Sequence, residues 1–451
     1  MTRLFGTDGI RGMANEFPMT GEIAMAVGKA VAHVFKKTHI GRKPRIVVGK
    51  DTRVANYMIE TALVSGICSM GADAVILGPL PTPGVAFVTQ SMRADAGIMI
   101  SASHNPYYDT GIKIFSADGY KLPDAVETEI EQLVFSKETD KFRPTHDKIG
   151  KATRIEDAIG RYVVFLKSLF ARDLDLQGMR IVLDCAHGAA YKVAPMVFEE
   201  LGAEVIRRGV TPNGMNINEK CGALHPEYVA ASTMEAQAAV GIALDGDGDR
   251  CILSDENGEI VDGDQIIGLC ALQMCQEQTL AQNTVVTTPM SNYGLEVTLK
   301  KHGISMVRAQ VGDRYVVDTM RKNGFNLGGE QSGHVVFLDQ CTSGDGIVAA
   351  LKVLETVRRT KKPLSELKQA IQLFPQVRND VRVSKKEPFE SVGEIQKMIE
   401  KAEKALKDRG RVFVRYSGTE PLARVMVEGE DLRQIQTLSQ DIAASIQRHL
   451  G

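Results

Sequence analysis

The sequence predicts an α/β protein closed by a smaller α+β segment. Three observations carry this. Short runs rich in Val and Ile alternate with longer amphipathic stretches over roughly the first 370 residues, the pattern of parallel strands joined by crossover helices. The chain has 451 residues, enough for about three domains at about 150 residues each. Beyond residue 390 the order changes to helix, strand, strand, helix.

Taken in order, Glu22 to Lys37 carries apolar residues at three- and four-residue spacing and reads as a helix. Arg45 to Gly49, Ala74 to Gly78 and Gly97 to Ile100 read as strands, and Gly111 to Phe115 is strand-like. Ser136 to Arg154 is charged and aperiodic and reads as an inter-domain connection. Ile155 to Leu169 is a second helix. Ile181 to Asp184, Val240 to Leu244, Thr284 to Thr287 and Gly303 to Val307 are further strands, followed by a helix over Gly344 to Arg359. Phe374 to Lys386 reads as another connection. A helix over Glu390 to Lys407 precedes strands at Gly410 to Arg415 and Arg424 to Glu428, whose short polar loop predicts antiparallel pairing, and a last helix covers Asp431 to Leu450. The recurring strand-helix units admit three similar α/β modules, although no exact repeat occurs.

Composition excludes several functions. Lys+Arg 54 against Asp+Glu 56 gives a net charge of -2, so no bulk positive field holds nucleic acid or an anionic membrane. Any anionic ligand must be held locally. No apolar run approaches the ~18 to 20 residues of a membrane span. Residues 1 to 8 meet a Gly and an acid before a signal-peptide core forms, so a cytoplasmic location is expected. The seven cysteines (68, 185, 221, 251, 270, 275, 341) show no C-x-x-C pair and read as reduced thiols.

Asp245-Gly-Asp-Gly-Asp-Arg250 directly follows an apolar strand. Carboxylates at i, i+2 and i+4 with intervening glycines converge on a tight loop, and their repulsion demands a cation. An EF-hand is the rival, since Glu256 falls at position 12 of that pattern, but Arg250 stands where the loop needs Gly and the flanks read as strands. All-oxygen ligation with open positions suits Mg²⁺ beside phosphate. Ser101-Ala-Ser-His-Asn-Pro106 lies at the C-terminal end of a strand, where open α/β sheets bind ligands, though the same residues also make ordinary turns. Lys113, between two isoleucines, fits either a solvent-facing strand position or the same cleft. Arg415-Tyr-Ser-Gly-Thr-Glu-Pro421 can grip a phosphate through a guanidinium, hydroxyls and a backbone nest, with Arg424 as a second fork; a plain hairpin turn is the alternative. Gly328-Gly-Glu-Gln-Ser-Gly-His334 places groups suited to sugar hydroxyls on one loop. Phe5-Gly-Thr-Asp-Gly-Ile-Arg-Gly12 matches neither a dinucleotide fingerprint nor a P-loop.

Together and in this order, these motifs resemble the α-D-phosphohexomutase superfamily and, within it, the bacterial phosphoglucosamine mutases. The resemblance covers essentially the whole chain. It implies a heart-shaped enzyme around a central cleft, with three related α/β domains with mixed sheets (1–153, 154–256 and 257–372) and a smaller C-terminal α+β domain (373–451). It implies that Ser103 is the phosphoserine that donates to a bound sugar monophosphate, and that Asp245, Asp247 and Asp249 with Ser103 hold one Mg²⁺. Arg11, His104, Lys113 and Arg250 would surround the phosphoserine, Lys113 as general acid and base. Glu330, Ser332 and His334 would bind the sugar, while Arg415, Ser417, Gly418, Thr419 and Arg424 would bind the distal phosphate.

The reaction so implied is reversible conversion of glucosamine 6-phosphate to glucosamine 1-phosphate through the 1,6-bisphosphate, supplying UDP-N-acetylglucosamine and cell-wall synthesis, with a hexose 1,6-bisphosphate as activator. Partners would be sugar phosphates, and a homodimer stays open. Phe5 to Gly12 and Val311-Gly-Asp-Arg-Tyr-Val316 resemble the glucosamine branch; Lys50 and Tyr416 depart from its commoner residues. The rivals are a phosphomannomutase/phosphoglucomutase, a phosphosugar-binding protein without turnover, and a Mg²⁺-dependent phosphatase.

Overall fold

A computed structural model of the chain describes residues 3–6, 8–36, 42–417 and 420–451. The first sheet holds β1 (Ile10–Met13), β2 (Arg45–Lys50), β3 (Asp73–Pro79), β4 (Ala96–Ile100), β5 (Asp109–Ser116) and β6 (Ala152–Arg154), in the order β1-β5-β4-β2-β3-β6. The second holds β7 (Arg180–Asp184), β8 (Glu204–Arg208), β9 (Val240–Leu244), β10 (Cys251–Asp255) and β11 (Ile260–Val261), in the order β11-β10-β9-β7-β8. The third holds β12 (Thr284–Thr287), β13 (Ser305–Arg308), β14 (Leu327–Gly329) and β15 (Val335–Phe337), in the order β13-β12-β14-β15. In each, a parallel set ends in an antiparallel neighbour: β4 against β5, β9 against β10, β14 against β15. The three sheets are thus mixed and built on one plan.

Their central strands read as unbroken apolar runs because both faces are covered. In β2, Ile46 and Val48 face a core of the first domain alone, whereas Val47 faces a second core on the other side. That second core is continuous through Ile181 and Val240 of the second sheet to Val285 of the third and Leu354 of the helix Gly346–Thr360. Apolar side chains therefore weld the three α/β domains together.

The last sheet is antiparallel, β16 (Gln376–Arg382), β18 (Leu422–Gly429) and β17 (Gly410–Tyr416) in the order β16-β18-β17, with its own core including Val381, Val425 and Ile446. A hydrogen-bonded joint attaches it. The Asn292 side chain exchanges bonds with the Phe374 backbone at 2.9 and 3.0 Å, and the Arg411 guanidinium, paired with the buried Glu428, donates to the Ser291 carbonyl at 3.2 Å. Asp264 accepts from the Asn292 N–H at 2.7 Å, and burial pushes its carboxyl up to about 7.

Both expected connections contribute a strand. Ala152–Arg154 extends the first sheet as β6 beside β3, the Lys151 N–H being held by the Asp73 carboxylate at 2.8 Å. Gln376–Arg382 is the edge strand β16. Its charged residues face water while Val377 and Val381 pack inward, so charge hid a half-buried alternation. The described cysteines are all free, Cys185, Cys221, Cys251 and Cys270 being buried.

Candidate active site

Four of the motifs occupy the turn between a strand and its antiparallel neighbour: Ser103 between β4 and β5, the acidic loop between β9 and β10, Glu330 to His334 between β14 and β15, and Ser417 between β17 and β18. In the first three sheets such a turn starts at the C-terminal end of a strand from the parallel set, the usual ligand edge.

Ser103 is 1% exposed and adopts φ +51°, a left-handed conformation that costs a non-glycine residue about 1 kcal/mol or more. The surroundings hold it there. Its N–H donates to Ser101 Oγ at 2.8 Å, and Ser101 donates to Asp51 at 2.6 Å. Its carbonyl accepts from the fully buried Arg53 at 3.0 Å and from Asn218 Nδ2 at 2.9 Å; both donors also reach the Asn105 carbonyl. The Ser103 hydroxyl then points at Asp245, 2.6 Å from Oδ2, with His104 Nδ1 3.4 Å away.

The acidic loop comes this close because Gly246 lacks a side chain: a Cβ there would lie 2.5 Å from the Ser103 carbonyl oxygen. The loop is anchored from three sides. Thr82 N–H donates to the Asp247 carbonyl at 2.8 Å, Ala189 N–H to that of Gly246 at 2.8 Å, and Gly346 N–H to that of Gly248 at 3.0 Å. Asp245, Asp247 and Asp249 are buried, and one ligand oxygen from each lies within 4.8 Å of the others. At an effective dielectric near 20, like charges 4.8 Å apart repel by about 3.5 kcal/mol per pair.

Burial and then the Asp249 and Asp247 charges push the Asp245 carboxyl well above its usual range. Burial would raise Asp247 too, but Lys113 Nζ at 2.9 Å and Thr82 Oγ1 at 2.5 Å hold it low. Asp247 Oδ1 and Asp249 Oδ1 are buried with no hydrogen-bond partner. Buried, unpartnered carboxylate oxygens converging on one point fit a hard divalent cation.

Lys113 is buried, which resolves its two readings in favour of the interior. Its ammonium contacts Asp247, Asp249 at 3.4 Å and Asp8 at 3.4 Å, and these carboxylates outweigh burial to raise it well above its usual range. Burial, then the Arg250 and Arg11 charges, push His104 down to about 4, so its imidazole is neutral at pH 7. Arg11 pairs with Asp8 and reaches the Ala102 carbonyl at 3.5 Å, while the Arg250 N–H donates to Asp245 at 3.2 Å.

A cleft of about 680 Å³ opens beside these groups, and Arg11, His104, Asp249, Arg250, Glu330 and His334 all line it. Residues from three domains therefore meet at one cavity. Glu330 Oε1 accepts from Gly312 N–H at 3.2 Å and Oε2 from Ser332 Oγ at 3.5 Å. His334 is 3% exposed, with Nε2 3.5 Å from Asp313 and Nδ1 unpartnered.

Among the described residues, none from the last domain lines this cleft. Arg415 and Arg424 sit opposite each other on β17 and β18, and Arg424 pairs with Glu420 at 3.0 Å. Burial, then Arg424 and Arg378, push Arg415 down, as expected where three guanidiniums share one patch. Ser417 is buried, its carbonyl taken by Lys386 at 2.7 Å. Gly418 and Thr419 lie outside the described residues.

The site also contains groups that sequence reasoning left out: Asp8, Arg53, Thr82, Asn218 and Arg378. Asp8 lies inside the Phe5 to Gly12 motif, so a charge in a Gly-rich turn was the available signal, and Arg53 lies just beyond the strand at Arg45 to Gly49. Thr82 and Asn218 carry no local signal, because their partners lie 165 and 115 positions away; Arg378 pairs with Asp380 two positions on, and only the folded sheet brings it beside Arg415.

Models of the phosphoglucomutase/phosphomannomutase family match the chain in four parts: α/β/α domain I over 2–141, domain II over 161–258, domain III over 262–374 and the C-terminal domain over 380–445. A phosphoglucosamine mutase of Syntrophotalea carbinolica is 59% identical over 449 residues, covering 100% of this chain and 98% of that one. One of Geobacter metallireducens is 55% identical over 451 residues, covering 100% of each. Among solved structures, a phosphoglucomutase/phosphomannomutase family protein of Burkholderia thailandensis superposes with TM-score 0.79 at 22% identity, over 99% of this chain and 97% of that one. An Aspergillus fumigatus N-acetylphosphoglucosamine mutase in complex with GlcNAc-6P and magnesium gives 0.65 at 16%, over 99% and 95%.

Proposed function

The chain belongs to the phosphoglucosamine mutases of the phosphoglucomutase/phosphomannomutase family, isomerases, and we propose from this that it interconverts glucosamine 6-phosphate and glucosamine 1-phosphate. The observation that carries the chemistry is the Ser103 hydroxyl held 2.6 Å from Asp245 at the rim of a buried carboxylate triplet. We assign Ser103 to the first domain, the triplet to the second, the sugar loop to the third and the distal phosphate loop to the fourth, divided after 153, 256 and 372.

In this reading the phosphorylated form of Ser103 loses its phosphoryl group to the free hydroxyl of the sugar monophosphate. The Ser103 Oγ–P bond breaks, a new O–P bond forms at the sugar, and the proton of that hydroxyl ends on Ser103 Oγ. The resulting 1,6-bisphosphate turns in the cleft and returns its other phosphoryl group to Ser103, so atoms balance over the cycle. Asp245, Asp247 and Asp249, joined by a phosphoserine oxygen, would hold one Mg²⁺, which when bound neutralises charge on the transferring group.

The chain's own residues do the rest. Arg11 and Arg250 flank the transferring group at the cleft, and Lys113 keeps an ammonium against the triplet for proton transfer. Glu330, Ser332 and His334 orient the sugar. Arg415, Ser417 and Arg424, with Gly418 and Thr419, grip the far phosphate once the last domain approaches, and a hexose 1,6-bisphosphate primes Ser103. Such transfers depend on positioning and charge neutralisation more than on covalent chemistry.

Two measurements test this. Intact-mass and phosphopeptide analysis should find phosphate on Ser103, and its absence after incubation with a hexose 1,6-bisphosphate would remove the nucleophile assignment. Turnover should favour glucosamine phosphates over mannose and glucose phosphates, and the reverse order would move the chain to the phosphomannomutase/phosphoglucomutase reading.

A further inference from the structure

Lys121 lies behind the cleft, just past the β5 turn, where it bridges to Phe115; it is absent from the cleft lining. Its side chain is 16% exposed, and its ammonium sits 2.5 Å from Asp8 Oδ1 and 2.5 Å from Asp313 Oδ2. Each of these carboxylates lines the cleft and reaches a second group there. Asp8 Oδ2 faces Lys113 at 3.4 Å and pairs with Arg11. Asp313 Oδ2 faces His334 Nε2 at 3.5 Å, and the adjacent Gly312 N–H holds Glu330. A continuous chain of polar side-chain contacts therefore runs Lys113, Asp8, Lys121, Asp313, His334. It joins the phosphoryl-transfer end of the cleft to the sugar loop across the boundary between the first and third domains.

A simple strap between domains does not require this lysine. The neighbouring Arg314 already ties the same turn to the first domain, through the Leu122 carbonyl, Asp124 at 2.7 Å and Glu127 at 3.2 Å. A lysine buried between carboxylates is a poor source of net stability, because desolvation offsets most of the attraction. What it supplies is a fixed geometry. Burial would raise Asp8, but Lys113, Lys121 and Arg11 hold it well below its usual range, so it stays an anion, and Asp313 is held low mainly by Lys121 against burial. Without the shared ammonium these two anions confront each other, and each is left to find a cation in the cleft itself.

We infer that Lys121 is a positioning residue of the reaction, which sets Lys113 and Arg11 through Asp8, and His334 and Glu330 through the Gly312–Asp313 turn. This rests on the mutase reading of the cleft. One ammonium thereby couples the placement of the sugar to the placement of the groups that act on its phosphate, in both orientations of the bisphosphate.

The test is Lys121→Met in the full-length enzyme, assayed with glucosamine 6-phosphate, Mg²⁺ and a 1,6-bisphosphate primer. Misplacement of reacting groups by about 1 Å costs on the order of 100-fold, so kcat/KM should fall about 100-fold, shared between kcat and KM, with a melting temperature close to wild type. Removing one of the facing carboxylates as well should relieve the conflict, since Asp8 keeps Lys113 and Arg11. Lys121→Met/Asp313→Asn is therefore expected to recover part of the lost kcat/KM, a rescue that a merely structural lysine does not produce. Arg314→Met, the strap control, should instead lower the melting temperature.

Wild-type kcat and KM in Lys121→Met would overturn the inference, and so would a double variant worse than either single one. If Lys121→Met does not fold, Asp313→Asn alone decides: a raised KM supports the coupling, an unchanged KM refutes it. Failure of the mutase reading looks different. The wild-type enzyme would then lack turnover on glucosamine phosphates, and the same variants would be compared on whichever hexose phosphate it accepts.

Discussion

Asn218 reaches from the second domain onto the nucleophile loop of the first, and its removal has a calculable cost. Its Nδ2 donates to the Ser103 carbonyl at 2.9 Å and the Asn105 carbonyl at 3.2 Å. Arg53 also serves both carbonyls, at 3.0 and 2.6 Å, so neither is orphaned when Asn218 is lost. The full penalty of an unpaired buried acceptor therefore does not apply, and the loss is two ordinary bonds, about 1–2 kcal/mol together. Asn218 itself sits at φ +59°, where alanine pays about a further 1 kcal/mol and glycine does not.

Comparing Asn218→Ala with Asn218→Gly separates these contributions. If the clamp holds Ser103 in its left-handed conformation for phosphoryl transfer, both variants lose roughly 10-fold in kcat, because about 1.4 kcal/mol of positioning is removed from the transition state. Only the alanine variant shows the additional loss of stability. Steady-state kinetics under saturating 1,6-bisphosphate and thermal melts read the two effects independently. Wild-type kcat in Asn218→Gly would refute the clamp and leave Asn218 as a packing contact between domains.

The joint to the last domain should make stability depend on pH. Asp264, raised by burial to about 7, binds a proton in the folded chain between about pH 4 and 7 that the unfolded chain releases, so its contribution declines as pH rises through that window. Denaturation at pH 5 and pH 8 should show Asp264→Asn losing less stability than wild type over that interval, by up to about 2.7 kcal/mol; equal losses would contradict the assignment. Asp247→Asn should raise the Mg²⁺ concentration giving half-maximal activity about 10-fold or more, and an unchanged metal dependence would return the acidic loop to a structural role. Arg415→Lys keeps the charge but loses the planar fork, so KM for glucosamine 6-phosphate should rise about 10-fold with kcat little changed; an unchanged KM would remove Arg415 from phosphate binding.

What the sequence revealed of this site follows from how locally each part is encoded. The acidic loop was legible because three carboxylates and two glycines fall within six residues after an apolar strand, and the structure places them as a buried cluster. The strand-end position made Ser103 a candidate, although an ordinary turn fitted the same residues equally well. Lys113 was not decidable locally: a lysine between isoleucines alternates by rule toward one face, and which face is interior depends on the second domain covering it. Asn218, Thr82 and Lys121 act across domain boundaries, and nothing within ten residues of them signals a partner. The same physics explains the two strands hidden in expected connections. β6 and β16 are edge strands, where polar residues are tolerated because half the backbone faces water.

The continuous core beneath the first three sheets divides the molecule unevenly. Separating any two of those domains exposes apolar surface at about 25 cal/mol per Å², whereas the last domain encloses a core of its own and is joined by a few polar bonds. Heating should therefore dismantle the chain in two steps, the small C-terminal unit and the large three-domain block. A calorimetric trace would carry two components, of which the smaller belongs to residues beyond about 375. A sugar phosphate gripped by both units would draw those components together, making their separation a thermometer for closure of the cleft.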